Sequence, residues 1–239
     1  MRDALFLAND PETRSGAFSW VQSELDYLKS VKPAYILFHY PKPVILDERV
    51  DWHSWRFADT SEYIGENEIT FEALIERTDV LFQWLTDMSE AYDFIPVLEF
   101  DALNRHIYET TFLEELLVKY PVIKLCLDTA RLYLQEKIDP FFDAKKVIHK
   151  FARFTYSFHL SNVQVKETIT NSRHPVLPEL DPGDGWAPIE EYLEIVAEQN
   201  DQVKIMFEHR SDLISEEQLN QCYDWITRLL NNGKLKRQK

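Results

Sequence analysis

Short apolar runs alternate with longer amphipathic stretches along this chain. The runs cover residues 4–8, 34–39, 94–100, 122–127, 154–160 and 203–207. They are rich in Val, Ile, Phe and Tyr, and several are too continuous for a strand with one wet face. Strands buried on both sides of a parallel sheet read this way.

The stretches between them carry helical periodicity. Phe71, Leu74, Ile75, Leu81, Phe82, Leu85 and Met88 recur at helical spacing. Thr111 with Glu114 predicts a capping box before Leu113, Leu116 and Leu117. Pro188 suits the first turn of a helix carrying Ile189, Tyr192, Leu193 and Val196. Ser215 with Gln218 predicts a second capping box, ahead of Leu219, Cys222, Tyr223, Ile226, Leu229 and Leu230, and Gly233 reads as the helix stop. Strand–helix alternation of this kind predicts βαβ units: an α/β chain forming a TIM-type (β/α) barrel, in one domain spanning residues 1–239. Residues 40–69 show no clear periodic element but hold Trp52, His53, Trp55, Phe57 and Tyr63. A loop this long is a candidate lid over the catalytic face, with its aromatics either shielding a substrate or anchoring the loop to the barrel. Residues 161–186 form a second long stretch after a strand.

Composition narrows the function. The chain has 239 residues and a formal net charge of -15, a field that repels phosphate backbones and argues against nucleic-acid binding. The basic cluster at 234–239 reads as a solvated tail. No apolar run is long enough to span a bilayer, and residues 1–9 lack the features of a signal peptide. A cytoplasmic protein without membrane contact is therefore expected. Only five glycines are present and none forms a phosphate loop or dinucleotide fingerprint. Cys126 and Cys222 lie in apolar patterns and are expected to be buried free thiols.

The candidate chemistry sits at strand ends. Glu99, Asp128, His159 and Glu208 each end an apolar run. The first two gaps are about thirty residues, the length of a βαβ unit, and the third is longer by the 161–186 stretch. Parallel barrel strands all point one way, so side chains at their C-terminal ends converge on one mouth. Three carboxylates and an imidazole gathered there would repel one another without a cation between them. Each residue alone has an ordinary explanation: Glu99 as a rim residue, Asp128 as the cap of the next helix, His159 as a packed histidine. Oxygen-rich ligation with one nitrogen favours Mn²⁺ or Mg²⁺, with Co²⁺ and Zn²⁺ as alternatives. His39 also ends a run, and Arg173 and His174 lie in the second long stretch. Together with Trp52 and Trp55 they are substrate-binding candidates. His53, His106, His149 and His209 read as surface or packing residues.

At these residues the chain resembles the xylose isomerase-like barrel superfamily, which includes sugar isomerases, ketose 3-epimerases and apurinic endonucleases. The resemblance rests on Pro96-Val97-Leu98-Glu99, Leu125-Cys126-Leu127-Asp128-Thr129, Phe158-His159-Leu160 and Ile205-Met206-Phe207-Glu208, and on the loop 174–185 ending Pro182-Gly183-Asp184-Gly185. It implies that Glu99, Asp128, His159 and Glu208 hold one metal ion. It also implies that Glu99 and Glu208 exchange a carbon-bound proton of a sugar or sugar phosphate through an enediolate. Arg131 stands where the family pattern has a histidine, and Asn162 where it has an aspartate, which removes ligands a multi-zinc endonuclease needs. Residues 4–8 resemble the family's second strand, so fewer than eight strands are expected. An open barrel leaves edges for loops or a second copy of the chain to cover. A non-catalytic barrel and, behind it, a nuclease-like hydrolase remain the alternatives to an isomerase or epimerase.

Overall fold

The structure is a computed structural model that describes residues 1–55, 57 and 59–237, with side chains through residue 233. The chain forms two compact units, Met1–Leu125 and Cys126–Lys239.

The first unit opens with α1 (Pro11–Leu28). Apolar periodicity does not single this helix out. Its signals are Asp10, whose carboxylate accepts from the Thr13 amide, a proline in the first turn, and a narrow buried stripe of Ala17, Val21 and Leu25. Then come β1 (Tyr35–His39), β2 (Val44–Leu46), β3 (Tyr63–Gly65), α2 (Phe71–Tyr92), β4 (Ile95–Glu99), α3 (Arg105–Glu109) and α4 (Phe112–Lys119). Strands β1 and β4 pair in parallel, with His39 opposite Glu99 at their C-terminal ends. The sheet order in this unit runs β1-β4 to the first residues of β5 (Lys124–Asp128).

The second unit holds the rest of β5, then α5 (Thr129–Ile138), α6 (Ala144–Phe151), β6 (Thr155–Leu160), β7 (Asn162–Val165), β8 (Ile169–His174), α7 (Ile189–Gln199), β9 (Lys204–Phe207) and α8 (Glu216–Arg237). Its sheet order is β5-β6-β9, with β6 and β9 parallel. Five of the six apolar runs therefore become parallel-sheet strands, and among the described residues that set has five members rather than eight.

The sixth run is a correction. Residues 4–8 form turns and not a strand: Phe6 N donates to Ala4 O, Ala8 N to Leu5 O, and Leu7 N to Lys42 O. Phe6 and Leu7 are buried, Phe6 against Phe18 with ring centroids 4.9 Å apart. Burial makes this segment apolar, and a five-residue apolar run does not distinguish a strand from a packed turn. The segment 40–69 also has more order than its sequence suggests. Strands β2 and β3 pair in parallel inside it, Val44 opposite Tyr63. The 161–186 stretch likewise contains the antiparallel β7–β8 pair.

Cap predictions divide. Ser215 and Gln218 form the expected reciprocal box, with bonds of 3.1 and 3.2 Å. Thr111 does not: it adopts helical backbone angles and its hydroxyl donates to Glu115 instead. Pro188 sits one residue earlier than expected, as the cap of α7. Gly233 is no stop, because α8 continues past it to Arg237. A Cβ on Gly233 would lie 2.4 Å from the Ala197 Cβ and 2.9 Å from its carbonyl. The glycine is there for close approach of α7 and α8. Gly233→Ala is expected to destabilise the protein by about 1–3 kcal/mol through overpacking. Urea denaturation would measure this, and an unchanged midpoint would refute the close-packing role. The side chains of the basic cluster at 234–239 lie outside the described residues.

Candidate metal centre

Asp128 ends β5 and caps α5. Its Oδ1 accepts from the Ala130 amide at 2.8 Å and the Arg131 amide at 3.1 Å, while Oδ2 lies 3.5 Å from Arg131 Nε. The capping role and the ligand role thus coexist in one carboxylate, using different oxygens. His159, near the end of β6, is 2% exposed, and its Nδ1 is 3.1 Å from Glu208 Oε1. Glu208 follows β9, and its amide donates to Leu160 O at 2.9 Å, which carries the β6–β9 pairing one residue past the strand. The hydrogen bond from His159 is the main reason the Glu208 carboxyl is held below the usual glutamate range. Partial burial opposes this, and the charges of His159, Arg131 and Arg173 reinforce it.

The strand ends of the second unit therefore bring Asp128, His159 and Glu208 together, each offering a ligand atom within 4.8 Å of the others. Thr129 braces this arrangement and is a residue the sequence pattern does not reveal. Its hydroxyl donates to Ser161 O at 2.7 Å and accepts from the Ser161 amide at 3.2 Å, fixing the chain just beyond His159.

In the first unit, Glu99 is buried at the end of β4 and its Oε2 lies 3.2 Å from His39 Nε2. His39 Nδ1 is 2.9 Å from Asp101 Oδ2. Asp101 Oδ2 also meets the Lys42 ammonium at 3.4 Å, and Lys42 reaches Glu62 Oε2 at 3.1 Å. Arg2 touches the same Glu62 oxygen at 3.3 Å. Only His39 and Glu99 of this network stand out in the sequence. Its other members have no periodic signal because they come from different loops.

Trp52 and Trp55 are half-buried and meet edge to face at 5.8 Å, with Trp52 Nε1 donating to Asp47 O. Arg173 is exposed, has a left-handed backbone (φ 49°), and its carbonyl accepts from the Arg210 amide. His174 is half-buried against Trp186 at 4.7 Å, and its Nδ1 donates to Pro175 O. His209 packs on Phe207, and burial lowers its pKa. His106 stacks on Phe71.

Neither departure from the family pattern offers a free ligand. Arg131 contributes a cation beside Asp128, and Asn162 Oδ1 accepts from the Val163 and Ala187 amides at 2.9 and 3.0 Å. Both cysteines are buried free thiols; that of Cys222 is pushed up to about 11 by burial. Among the described residues, no helix is long and apolar enough to cross a membrane.

No family model matches the sequence, and no curated protein does. Solved structures are similar. A xylose isomerase-like TIM barrel protein from Mycobacterium smegmatis, in complex with magnesium, has a TM-score of 0.56 at 12% identity, covering 94% of this chain and 70% of that one. A xylose isomerase domain containing protein from Salmonella typhimurium LT2 has a TM-score of 0.55 at 15% identity, covering 95% and 74%. A D-allulose 3-epimerase from Methylomonas sp. has a TM-score of 0.50 at 15% identity, covering 99% and 73%. Identity this low speaks to fold alone. The parallel strand–helix units and these likenesses together show a fold of the TIM-barrel type, similar to that of these xylose isomerase-like proteins.

Proposed function

We propose that this protein is a divalent-metal-dependent isomerase or epimerase of a sugar or sugar phosphate. The observation that carries this reading is the convergence of Asp128, His159 and Glu208 at parallel strand ends. Two carboxylates and an imidazole fit a hard or borderline cation, and Glu99 as fourth ligand makes the set oxygen-rich. That set favours Mn²⁺ or Mg²⁺, with Co²⁺ and Zn²⁺ as alternatives. When bound, such an ion polarises a substrate carbonyl and lowers the pKa of the adjacent C–H.

The chain's own residues then do the rest. Glu99 and Glu208 are the bases that take a proton from carbon and return it. Trp52 and Trp55 offer flat apolar faces for the C–H side of a sugar. Arg173 and His174 offer donors for its hydroxyls or phosphate.

Metal titration calorimetry tests the centre, and the capping role of Asp128 dictates the variants. Asp128→Ala removes cap and ligand together, so a loss of about 1 kcal/mol of stability is expected beside the loss of affinity. Asp128→Asn keeps an oxygen for the Ala130 and Arg131 amides, so stability is retained while affinity for Mn²⁺ falls. Equal Mn²⁺ binding by wild type and both variants would refute the assigned ligand.

A second reading has one observation in its favour. The Arg131 guanidinium already lies beside Asp128, and a fixed cation there competes with a metal. On that reading the protein keeps the fold without catalysis, and purified protein would neither contain nor bind a divalent ion.

A further inference from the structure

The first unit contains a continuous polar chain: Arg2, Glu62, Lys42, Asp101, His39 and Glu99, each joined to the next at 2.9–3.4 Å. Its inner members are nearly dry, with side-chain exposures of 1% for Lys42, 7% for Asp101, 9% for His39 and 3% for Glu99. A buried imidazole between two carboxylates is not an ordinary packing histidine. Each ring nitrogen meets one carboxylate, so the ring cannot rotate without breaking a contact to a buried charge. Asp101 is itself held in place by Lys42, which does not depend on Glu99.

We infer that His39 is a positioning residue: held at Nδ1 by Asp101, it presents Nε2 to Glu99 Oε2 and sets the orientation of that carboxyl. This rests on the proposed role of Glu99 as ligand and base. It gives His39 a task that does not involve touching substrate. The register supports it, because His39 stands directly opposite Glu99 across the β1–β4 pair and both side chains leave the strands at the same level. Hydrogen-bond partners that orient a ligating carboxylate are worth about 10–100-fold in metal affinity.

The device needs an acceptor at position 101 and a donor at position 39. Asp101→Asn keeps an oxygen acceptor without the charge, and His39→Gln keeps an amide donor. Asp101→Leu and His39→Leu keep bulk but remove the function. Two readouts separate this inference from the metal reading. In metal-free protein with labelled histidine and glutamate, nuclear magnetic resonance is expected to find a proton on both ring nitrogens of His39, one for each carboxylate it faces. The Glu99 carboxyl carbon resonance should move in both Leu variants and stay in place in Asp101→Asn and His39→Gln. Mn²⁺ calorimetry is expected to show a loss of about 10-fold or more in the Leu variants and a change of less than about threefold in the conservative pair.

A Glu99 resonance indifferent to Asp101→Leu and His39→Leu would overturn the positioning role, whatever the metal data. A wild-type protein that binds no Mn²⁺ would overturn the proposed function, and the resonance shifts would still decide the role of His39. If a Leu variant does not fold, the other Leu variant and the conservative pair carry the comparison.

Discussion

Replacing Glu208 or Glu99 by Gln is expected to lower carbon-bound proton exchange by at least about 100-fold, the usual cost of losing a general base. Gln keeps the length of the side chain and one carbonyl oxygen for a cation, so Mn²⁺ affinity should fall much less than turnover. The hydrogen bond from His159 makes Glu208 the better-defined test. A Gln at 208 can still accept from His159 Nδ1 through its amide oxygen, so the neighbouring ligand need not move. The measurement is deuterium uptake from heavy water into a panel of ketoses and ketose phosphates, read by mass spectrometry with Mn²⁺, Mg²⁺ or Co²⁺ present. Exchange by wild type that persists at full rate in both Gln variants would remove these residues from the chemistry. No exchange by wild type with any of the sugars, together with no metal uptake, would favour the non-catalytic reading that the Arg131–Asp128 contact supports.

Lys42→Met is expected to cost about 3–5 kcal/mol of stability. Lys42 is 1% exposed and bridges Glu62 and Asp101, whose side chains are 11% and 7% exposed. Burying an ammonium is itself costly, and burial holds its pKa below the ordinary lysine value, with the contact to Glu62 partly restoring it. Removing the cation nevertheless leaves two carboxylates in a dry region without that counter-charge, which costs more than the lysine did. Urea denaturation followed by tryptophan fluorescence would measure the effect. The triple variant Lys42→Met, Glu62→Gln, Asp101→Asn removes the stranded charges and should recover most of the loss. A Lys42→Met protein within about 1 kcal/mol of wild type would mean that the network holds no ionised carboxylate in need of Lys42.

The sequence by itself determined the parallel-strand architecture and the ends of its strands. Residues 34–39, 94–100, 122–127, 154–160 and 203–207 are continuous apolar runs, and a strand buried on both faces must be written that way. Because parallel strands share one direction, the pattern was enough to place Glu99, Asp128, His159 and Glu208 at strand ends on one side of the sheet. For Asp128, His159 and Glu208 the second unit brings the ligand atoms together. The capping box at Ser215 and Gln218 was equally legible, because both partners lie within one turn.

Tertiary structure alone decided the rest. Residues 4–8 share the composition of a strand, yet Leu7 N bonds to Lys42 O and its carbonyl accepts from Arg77, partners distant in the chain. Gly233 carries the local signature of a helix end, but what requires a glycine there is the close approach of Ala197 on α7, its Cβ first and its carbonyl next. The chain of contacts from Arg2 to Glu99 joins residues 2, 39, 42, 62, 99 and 101. No periodicity links such positions, because a buried ion pair is selected by proximity and low dielectric after the chain has folded. Local pattern reports how a segment is buried; which charged groups share that burial is settled only by what packs against it.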